Sequence, residues 1–189
     1  MIENLIAVDV ETTGIDANKN SLVSIGAVSI SDPTNTFYRE CVVWDGALIT
    51  EEALRVNGFT HDQIVDAKKN NKTTEGGMIG EFFAWLPDSP MMIAHNSSFD
   101  RDFVAAAAKR AGLINPFSFR TVDIHSIVML HLLRSKSKVP KTLSLNQCLK
   151  RLGFPPEPNP HNALTGAQCD AVLFDKVLNY DGEEQLGLL

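Results

Sequence analysis

The sequence predicts a mixed α/β domain, in which an antiparallel three-strand meander is followed by helices that alternate with further strands. The meander is predicted by three apolar segments, 5–14, 21–30 and 37–44, which only short turns separate. Helical apolar stripes then flank the short apolar run 91–95, which predicts a mixed sheet covered by helices. A chain of 189 residues fits one domain, and we expect a single domain over residues 1–189.

The first strand is predicted from a run of β-branched and apolar residues that ends in the turn Thr12, Thr13 and Gly14. The second and third strands, 21–30 and 37–44, are separated by a segment rich in turn residues. Beyond the meander we predict a helix 50–55 capped by Thr50, a helix that starts at the capping box of Thr60 and Gln63, and a helix 73–86. A strand 91–95, a helix that ends at Gly112 and a strand 119–122 follow. The last three elements are a helix through 133 capped by Asp123, a helix 141–152 before Gly153, and a helix 161–179 after a proline-rich loop. Five residues form the predicted core stripe of the last helix: Leu164, Ala167, Ala171, Phe174 and Leu178.

The composition excludes several classes of protein. With 44% hydrophobic and 21% charged residues the chain has the composition of a soluble globular protein, and neither a membrane span nor a signal peptide is evident, so we expect a cytoplasmic protein without a membrane partner. Three scattered cysteines suggest neither a disulfide framework nor a zinc site. A net charge of −6 argues against a general nucleic-acid coat, but not against an enzyme that clusters acids around metal ions.

The first strand carries two acids, Asp9 and Glu11, within its apolar run. Side chains two residues apart on a strand point to the same side, so these carboxylates converge. Two adjacent anions in an apolar setting favour a divalent cation, and carboxylate oxygens favour Mg²⁺ or Mn²⁺ over zinc. The alternative is that one acid caps a local backbone group while the other faces solvent.

Two further candidates lie at the starts of helices. Asp100 follows the strand 91–95, where Ser97 and Asp100 also fit a capping box, so a purely structural role is open. His161 enters the last helix after the proline-rich loop, where a packed or capping histidine is the alternative to a general base.

Three motifs in this order identify a resemblance. Residues 8–14 (VDVETTG), 94–100 (AHNSSFD) and 161–164 (HNAL) resemble the motifs of the DnaQ-like 3′–5′ exonucleases, in the DEDDh branch of the ribonuclease H-like superfamily. The similarity includes 57–60 and 143–154 and extends from residue 5 to about residue 178. It implies a ribonuclease H-like mixed sheet flanked by α-helices.

The resemblance also implies a chemistry. Two divalent cations, Mg²⁺ or Mn²⁺, would promote hydrolysis of the terminal phosphodiester and release nucleoside monophosphates. Asp9 and Glu11 would hold the first metal, with Asp9 bridging to a second metal that Asp100 supports, and His161 would be the general base. The implied substrate-binding residues are Thr12, Thr13, Gly14, Asn96 and Phe99.

The implied partner is the 3′ end of a single-stranded or frayed nucleic acid, DNA or RNA. The basic segment 134–141 is a candidate phosphate contact, although such segments are commonly solvated loops. A homodimer and a polymerase partner both stay open.

The chain departs from the family pattern at one position. The family has an aspartate five residues after the histidine as the third carboxylate on the first metal, and this chain has Gly166 there. The nearest downstream acid is Asp170, which on a helix lies about 6 Å further along the axis. Either the helix shifts, a water bridges Asp170 to the metal, or the first metal lacks a ligand. The structural alternative is that Asp170 is an exposed helix acid. Gln168 is a weaker candidate for the missing ligand.

Two functional hypotheses follow. One is an active exonuclease with an altered fourth ligand, and the other is a protein that binds nucleic-acid ends but hydrolyses them slowly or not at all. An unrelated acidic domain with coincidental motifs is the third possibility.

Overall fold

The computed structural model describes residues 2–179, so residue 1 and residues 180–189 of the expected domain lie outside it. A six-stranded mixed sheet has the order β4-β3-β2-β1-β5-β6. Its strands are β1 (Leu5–Thr12), β2 (Leu22–Ser29), β3 (Thr36–Val42), β4 (Thr73–Thr74), β5 (Met91–Ala94) and β6 (Thr121–Asp123). The first three pair antiparallel, and β5 and β6 continue the sheet in parallel on the other side of β1. The predicted fold class is confirmed.

Eight α-helices surround this sheet within residues 2–179. They are α1 (Glu51–Asn57), α2 (His61–Val65), α3 (Ala67–Asn70), α4 (Glu75–Trp85), α5 (Ser98–Arg110), α6 (Ile124–Arg134), α7 (Leu145–Leu152) and α8 (Ala163–Leu178). The predicted caps at Thr50 and Asp123 accept the expected backbone hydrogen bonds, and the capping box of Thr60 and Gln63 is present. None of these helices is both long and apolar enough to cross a membrane.

Three predicted boundaries were wrong. The segment at Thr73 forms the short strand β4 beside β3 instead of the first turn of α4. The strand predicted from residue 119 begins at Thr121, and Phe119 is exposed. Helix α7 begins at Leu145, not at residue 141, because Ser144 and Gln147 form a capping box there.

The last helix differs most from its prediction. Asn162 caps α8 by accepting hydrogen bonds from two backbone N–H groups of the first turn, which leaves His161 outside the helix. The buried residues of α8 are Ala163, Gly166, Ala167, Asp170 and Leu173. Four residues of the predicted stripe are buried or pack against the cores, and Leu178 is 53% exposed; the four are Leu164, Ala167, Ala171 and Phe174.

Small residues explain the close approach of α8 to the sheet. Helix α8 packs directly on β1 and β2. A Cβ atom built on Gly26 of β2 would collide with the backbone of Ala163 and Leu164, so only glycine permits this approach. The close packing turns the small residues of α8 toward the sheet, and Asp170 turns with them.

Both faces of the sheet are covered. One apolar core lies between the sheet and helices α4 and α5, and includes Ile25, Phe82 and Phe103. A second core, around Ile93 and Leu173, lies between the sheet and helices α6, α7 and α8. The acids described next lie where β1 meets α5 and α8, within this packed interior.

Candidate active site

Strand β1 places Asp9 and Glu11 on one side of the sheet. Asp9 is partly buried, and the Glu11 residue is only 8% exposed. In the antiparallel pairing Asp9 lies opposite Gly26 and Glu11 lies opposite Ser24 of β2. The alternative in which one of these acids faces solvent at the end of the strand is therefore wrong for Glu11.

Asp100 joins this pair from the first turn of α5. Its side chain is buried, and its Oδ1 accepts a hydrogen bond of 3.1 Å from the backbone N–H of Val10, the residue between the two strand acids. Within the described chain Ser97 makes no side-chain capping hydrogen bond. The capping-box explanation of Asp100 is therefore wrong.

Asp170 lies in the same interior and is only 1% exposed, so the alternative of an exposed helix acid is also wrong. Its Oδ2 accepts a hydrogen bond of 2.9 Å from the backbone N–H of His95. Its Oδ1 is buried and has no hydrogen-bond partner among residues 2–179. A buried polar atom without a partner costs free energy, and such an atom is commonly satisfied by a bound ion or water.

The electrostatics confirm that these acids share one environment. Burial and repulsion from Asp100, Glu11 and Asp170 raise the pKa of Asp9 well above its ordinary value. Burial also raises the pKa of Asp100 and of Asp170, against their backbone hydrogen bonds. Burial and a neighbouring carboxylate raise the pKa of Glu11 to about 8. Burial and mutual repulsion thus disfavour the charged forms of these side chains, and a cation bound between them would favour the charged forms.

Gly166 lies directly against Asp9. A Cβ atom built on Gly166 would lie 2.6 Å from Cγ of Asp9, so any side chain there would compete with the Asp9 carboxylate for space. The glycine is therefore part of the arrangement that accommodates Asp9.

His161 and Glu157 belong to the loop that precedes α8. The backbone N–H of His161 donates to the carbonyl of Val56 in α1, and its imidazole is 41% exposed. The imidazole Nδ1 lies 3.5 Å from Oε2 of Glu157, whose side chain is only 2% exposed.

The sequence interpretation missed Glu157. The available signal was an acid between Pro156 and Pro158, four residues before the candidate base.

An open cleft of about 480 Å³ adjoins the acids and is lined by Glu11, Thr12, Gly14 and Phe99. A second cleft of about 730 Å³ shares Phe99 and the exposed side chain of Ile15 with the first. Ile15 is a lining residue that the sequence interpretation did not single out, although it directly follows the turn.

The other two predicted substrate-binding residues, Thr13 and Asn96, lie in the backbone turns next to the site. The Thr13 hydroxyl donates to the Leu48 carbonyl and accepts from the Ser21 N–H. Asn96 occupies the left-handed region at φ 61° in the turn between β5 and α5.

The donor set fits a hard divalent cation. The buried acids offer carboxylate oxygens, including the unpartnered Oδ1 of Asp170, and such oxygens suit Mg²⁺ and Mn²⁺. Within residues 2–179, no three His, Cys, Asp or Glu side chains already form a ready-made ligand group.

Comparisons with known proteins show to which family the chain is similar. A sequence profile described as Exonuclease, RNase T type, matches residues 6–174. Ribonuclease T of Cronobacter sakazakii is 28% identical over 193 residues, covering 92% of this chain and 81% of that protein. Ribonuclease T of Salmonella typhimurium is 29% identical over 188 residues, with 92% and 84% covered.

Solved structures share the fold. The nuclease domain of 3′hExo, a DEDDh family member bound to rAMP, superposes with a TM-score of 0.71 at 16% identity, covering 96% of this chain and 94% of that one. Exonuclease I of E. coli in complex with single-stranded DNA superposes with a TM-score of 0.72 at 15% identity over 92% of this chain. The present chain spans only 40% of that exonuclease I chain. The chain belongs to the RNase T-type exonuclease family, and thus to the DnaQ-like 3′–5′ exonucleases of the DEDDh branch.

Proposed function

We propose that this protein is a metal-dependent 3′–5′ exonuclease that hydrolyses the terminal phosphodiester of single-stranded or frayed nucleic acid and releases nucleoside monophosphates. The observation that carries the proposal is the convergence of Asp9, Glu11 and Asp100 beside an open cleft, in a chain of an exonuclease family. Because these carboxylates repel one another, a cation bound between them would relieve the repulsion and bind favourably.

Asp9 and Glu11 would hold the first divalent ion, and Asp9 and Asp100 the second, with Asp170 as a supporting carboxylate. When bound, two Mg²⁺ or Mn²⁺ ions would supply positive charge for the attacking and leaving oxygens of the phosphodiester. The Val10 N–H holds Oδ1 of Asp100, so the backbone of β1 fixes the distance between this carboxylate and the strand acids.

His161 would accept the proton of the attacking water. An imidazole is the side chain that most often serves as a general base in enzymes. Its partial exposure leaves a ring nitrogen open to water, and its hydrogen bond to Val56 fixes the backbone from which it projects.

The cleft would receive the terminal nucleotide. Phe99 offers an aromatic ring on which a base can stack, and Gly14 brings backbone close to the sugar. The complexes of relatives support this class of substrate, since exonuclease I was crystallised with single-stranded DNA and 3′hExo with the nucleoside monophosphate rAMP.

A second candidate function rests on Gly166. The resemblance places a metal-binding aspartate at this position, and a chain without it would bind a 3′ end and hydrolyse it slowly or not at all. The retention of Asp9, Glu11, Asp100 and His161 favours hydrolysis.

The test uses single-stranded DNA and RNA oligonucleotides labelled at the 3′-terminal nucleotide, with Mn²⁺, Mg²⁺ or EDTA. We expect the wild type to release labelled monophosphate only with metal, and Asp9→Asn to abolish the release. Asp88→Asn changes an exposed aspartate in the same way and is expected to keep wild-type activity. Binding of the 3′ end without release would support the second function, and neither binding nor release would overturn both.

A further inference from the structure

The side chain of His161 is less firmly held than its backbone. The backbone N–H donates to the Val56 carbonyl at 3.2 Å, but the imidazole is 41% exposed. A general base has to present one particular ring nitrogen, without a proton, to the water that it activates. On the basis of the exonuclease function proposed above, we propose that Glu157 is the positioning residue of this base. Its carboxylate holds Nδ1 of His161 and leaves Nε2 for the water.

Glu157 is itself fixed in the loop before α8. The residue is 7% exposed, and it lies between two prolines, at 156 and 158, whose rings fix their own φ angles. The backbone N–H of Glu157 donates a hydrogen bond of 2.7 Å to Oδ1 of Asn146 in α7. A carboxylate on so restrained a backbone is able to orient a partner that is more exposed than itself.

The carboxylate of Glu157 faces the imidazole. Its Oε2 lies 3.5 Å from Nδ1 of His161, and the side chain of Glu157 is only 2% exposed. This distance exceeds the roughly 2.7–3.2 Å of an ordinary N–H···O hydrogen bond, so the contact is an ion pair. Catalytic hydrogen bonds are commonly long before a substrate binds and shorten in the reactive complex. The charge of His161 lowers the pKa of Glu157 against the effect of burial, so the two side chains stabilise each other's charged forms.

The contact distinguishes the two ring nitrogens. A carboxylate accepts hydrogen bonds and donates none, so beside Glu157 the proton of a neutral imidazole is favoured on Nδ1, and Nε2 keeps its lone pair. In the reaction the O–H bond of the water breaks, its proton forms an N–H bond with Nε2, and the water oxygen keeps the electron pair with which it attacks phosphorus. The imidazolium then carries one proton on each nitrogen, and its positive charge lies beside the Glu157 carboxylate.

A purely structural role does not explain the carboxylate. The loop is anchored by the backbone of Glu157, through Asn146, and by the backbone of His161, through Val56, so neither anchor requires the Glu157 side chain. Glu157 also lines neither of the two clefts described above. Burial of a carboxylate costs free energy that burial of an apolar side chain of similar size does not. The contact with the imidazole accounts for a charged residue at this position.

The first test measures the tautomer of His161 in the protein without nucleic acid or metal. Nitrogen-15 NMR of the full chain distinguishes a protonated from an unprotonated ring nitrogen, and the signals of His161, one of five histidines, are those absent from His161→Gln. At a pH where the ring is neutral we expect the Nδ1-protonated form in the wild type. Glu157→Met has a side chain of similar length without charge and should shift the ring toward the Nε2-protonated form. Glu157→Gln, whose amide oxygen still accepts a hydrogen bond, should shift it less.

The second test uses the labelled-oligonucleotide assay with Mn²⁺. We expect Glu157→Met to lower kcat by about tenfold to a hundredfold and to change KM by less than about twofold, because Glu157 acts on the base and lines no cleft. In the His161→Gln background the same substitution should cause no further loss, because Glu157 acts through the imidazole. Glu3→Gln changes an exposed glutamate and is expected to behave as the wild type does in both tests.

An unchanged tautomer in Glu157→Met overturns the inference. An equal loss of kcat with and without His161 also overturns it, and indicates that Glu157 supports the fold instead of the base. Thermal melts show whether each variant is folded, and Glu157→Gln replaces Glu157→Met in both tests if the latter does not melt cooperatively. A wild type that releases no nucleotide with either metal refutes the proposed function itself, whereas the tautomer of His161 reports on Glu157 independently of that result.

Discussion

Two buried acids of this protein, Glu75 and Asp170, differ in how their charges are compensated. Glu75 is 3% exposed, and its carboxylate pairs with the Arg110 guanidinium at 2.8 Å while also accepting hydrogen bonds from the Ser21 hydroxyl and the Leu22 N–H. Asp170 is equally buried, yet one of its oxygens has no partner in the described part of the chain and its neighbours are acids. Both Glu75 and Asp170 are carboxylates buried between the sheet and its helices.

The difference separates a buried acid whose charge is compensated within the fold from buried acids whose charges are not compensated. Glu75 ties α4 and α5 to β2, and its environment supplies every partner that a carboxylate requires. The group of Asp9, Glu11, Asp100 and Asp170 supplies backbone donors to only some of its oxygens and no basic side chain is a cause of their pKa shifts. Stability and metal binding should therefore respond in opposite directions when the two regions are changed.

The largest expected effect is the pH dependence of the metal-free protein. The pKa of Glu11 is raised from its ordinary value of 4.5 to about 8, so between these pH values the folded state binds more protons than the unfolded state. The free energy of unfolding therefore falls as pH rises from 5 to 8, by about 1.4 kcal/mol per pH unit for each carboxyl that stays protonated only when folded. Urea unfolding in EDTA checks this slope. Saturating Mn²⁺ should flatten or reverse it, and a flat profile without metal would contradict the uncompensated state of the acids.

The second largest effect is expected when the ion pair of Glu75 and Arg110 is removed. Glu75→Gln leaves the Arg110 guanidinium without its charge partner, and we expect a loss of about 2 kcal/mol, below the ~3–5 kcal/mol of a fully buried pair because Arg110 keeps some exposure. Urea unfolding measures the loss, with the exposed Glu51→Gln as the control. Mn²⁺ affinity should be unchanged; a loss of Mn²⁺ binding would mean that the two regions are not separate.

A third change tests the space at Gly166. Gly166→Ala places a methyl group against the Asp9 carboxylate, and we expect about 1–2 kcal/mol of destabilisation together with weaker Mn²⁺ binding. Gly80→Ala is the matched control, because a Cβ atom there meets only the tip of Leu113 at 3.9 Å. That control should stabilise α4 by about 0.5–1 kcal/mol. Equal effects of the two substitutions would contradict the explanation that a side chain at position 166 collides with the Asp9 carboxylate.

The smallest expected effect is a gain in stability. Glu11→Gln removes one repelled carboxyl, so at pH 5.5, about one unit above the ordinary pKa of a glutamate, the metal-free protein should unfold with about 1 kcal/mol more free energy than the wild type. The same variant should lose metal-dependent nucleotide release. Thermal melts in EDTA check the gain in stability, and the labelled-oligonucleotide assay with Mn²⁺ checks the loss of release. A destabilised metal-free variant would place Glu11 with Glu75 as a structural acid.

Local sequence signals were sufficient for much of the fold. The caps at Thr50 and Asp123 are satisfied by the side chain of the capping residue itself, and the alternation of β1 is a property of a single strand. The apolar stripe of α8 indicated its packed face, since Ala167 is buried and Leu164, Ala171 and Phe174 pack against the cores. The burial of Asp170 could not be predicted in the same way, because it depends on the close contact between Gly26 and the backbone of Ala163, which are distant in sequence.

The residues of the candidate site also differ in whether the sequence could identify them. The motif resemblance identified Asp9, Glu11, Asp100 and His161, and the structure brings the three acids together in one interior. Glu157 lies in a loop, where no periodicity indicates the direction of a side chain, and only the anchoring by Asn146 reveals that it is buried.

Helix α1 connects the open cleft with the loop that carries His161. Val56 lines the cleft, its carbonyl accepts a hydrogen bond from the backbone N–H of His161, and Gly58 at the end of the helix lies against Pro160. If the cleft receives the terminal nucleotide as proposed, a nucleotide that fits it poorly would act on the same helix that positions the imidazole. We then expect discrimination among 3′ ends in the turnover rate more than in the affinity for the strand.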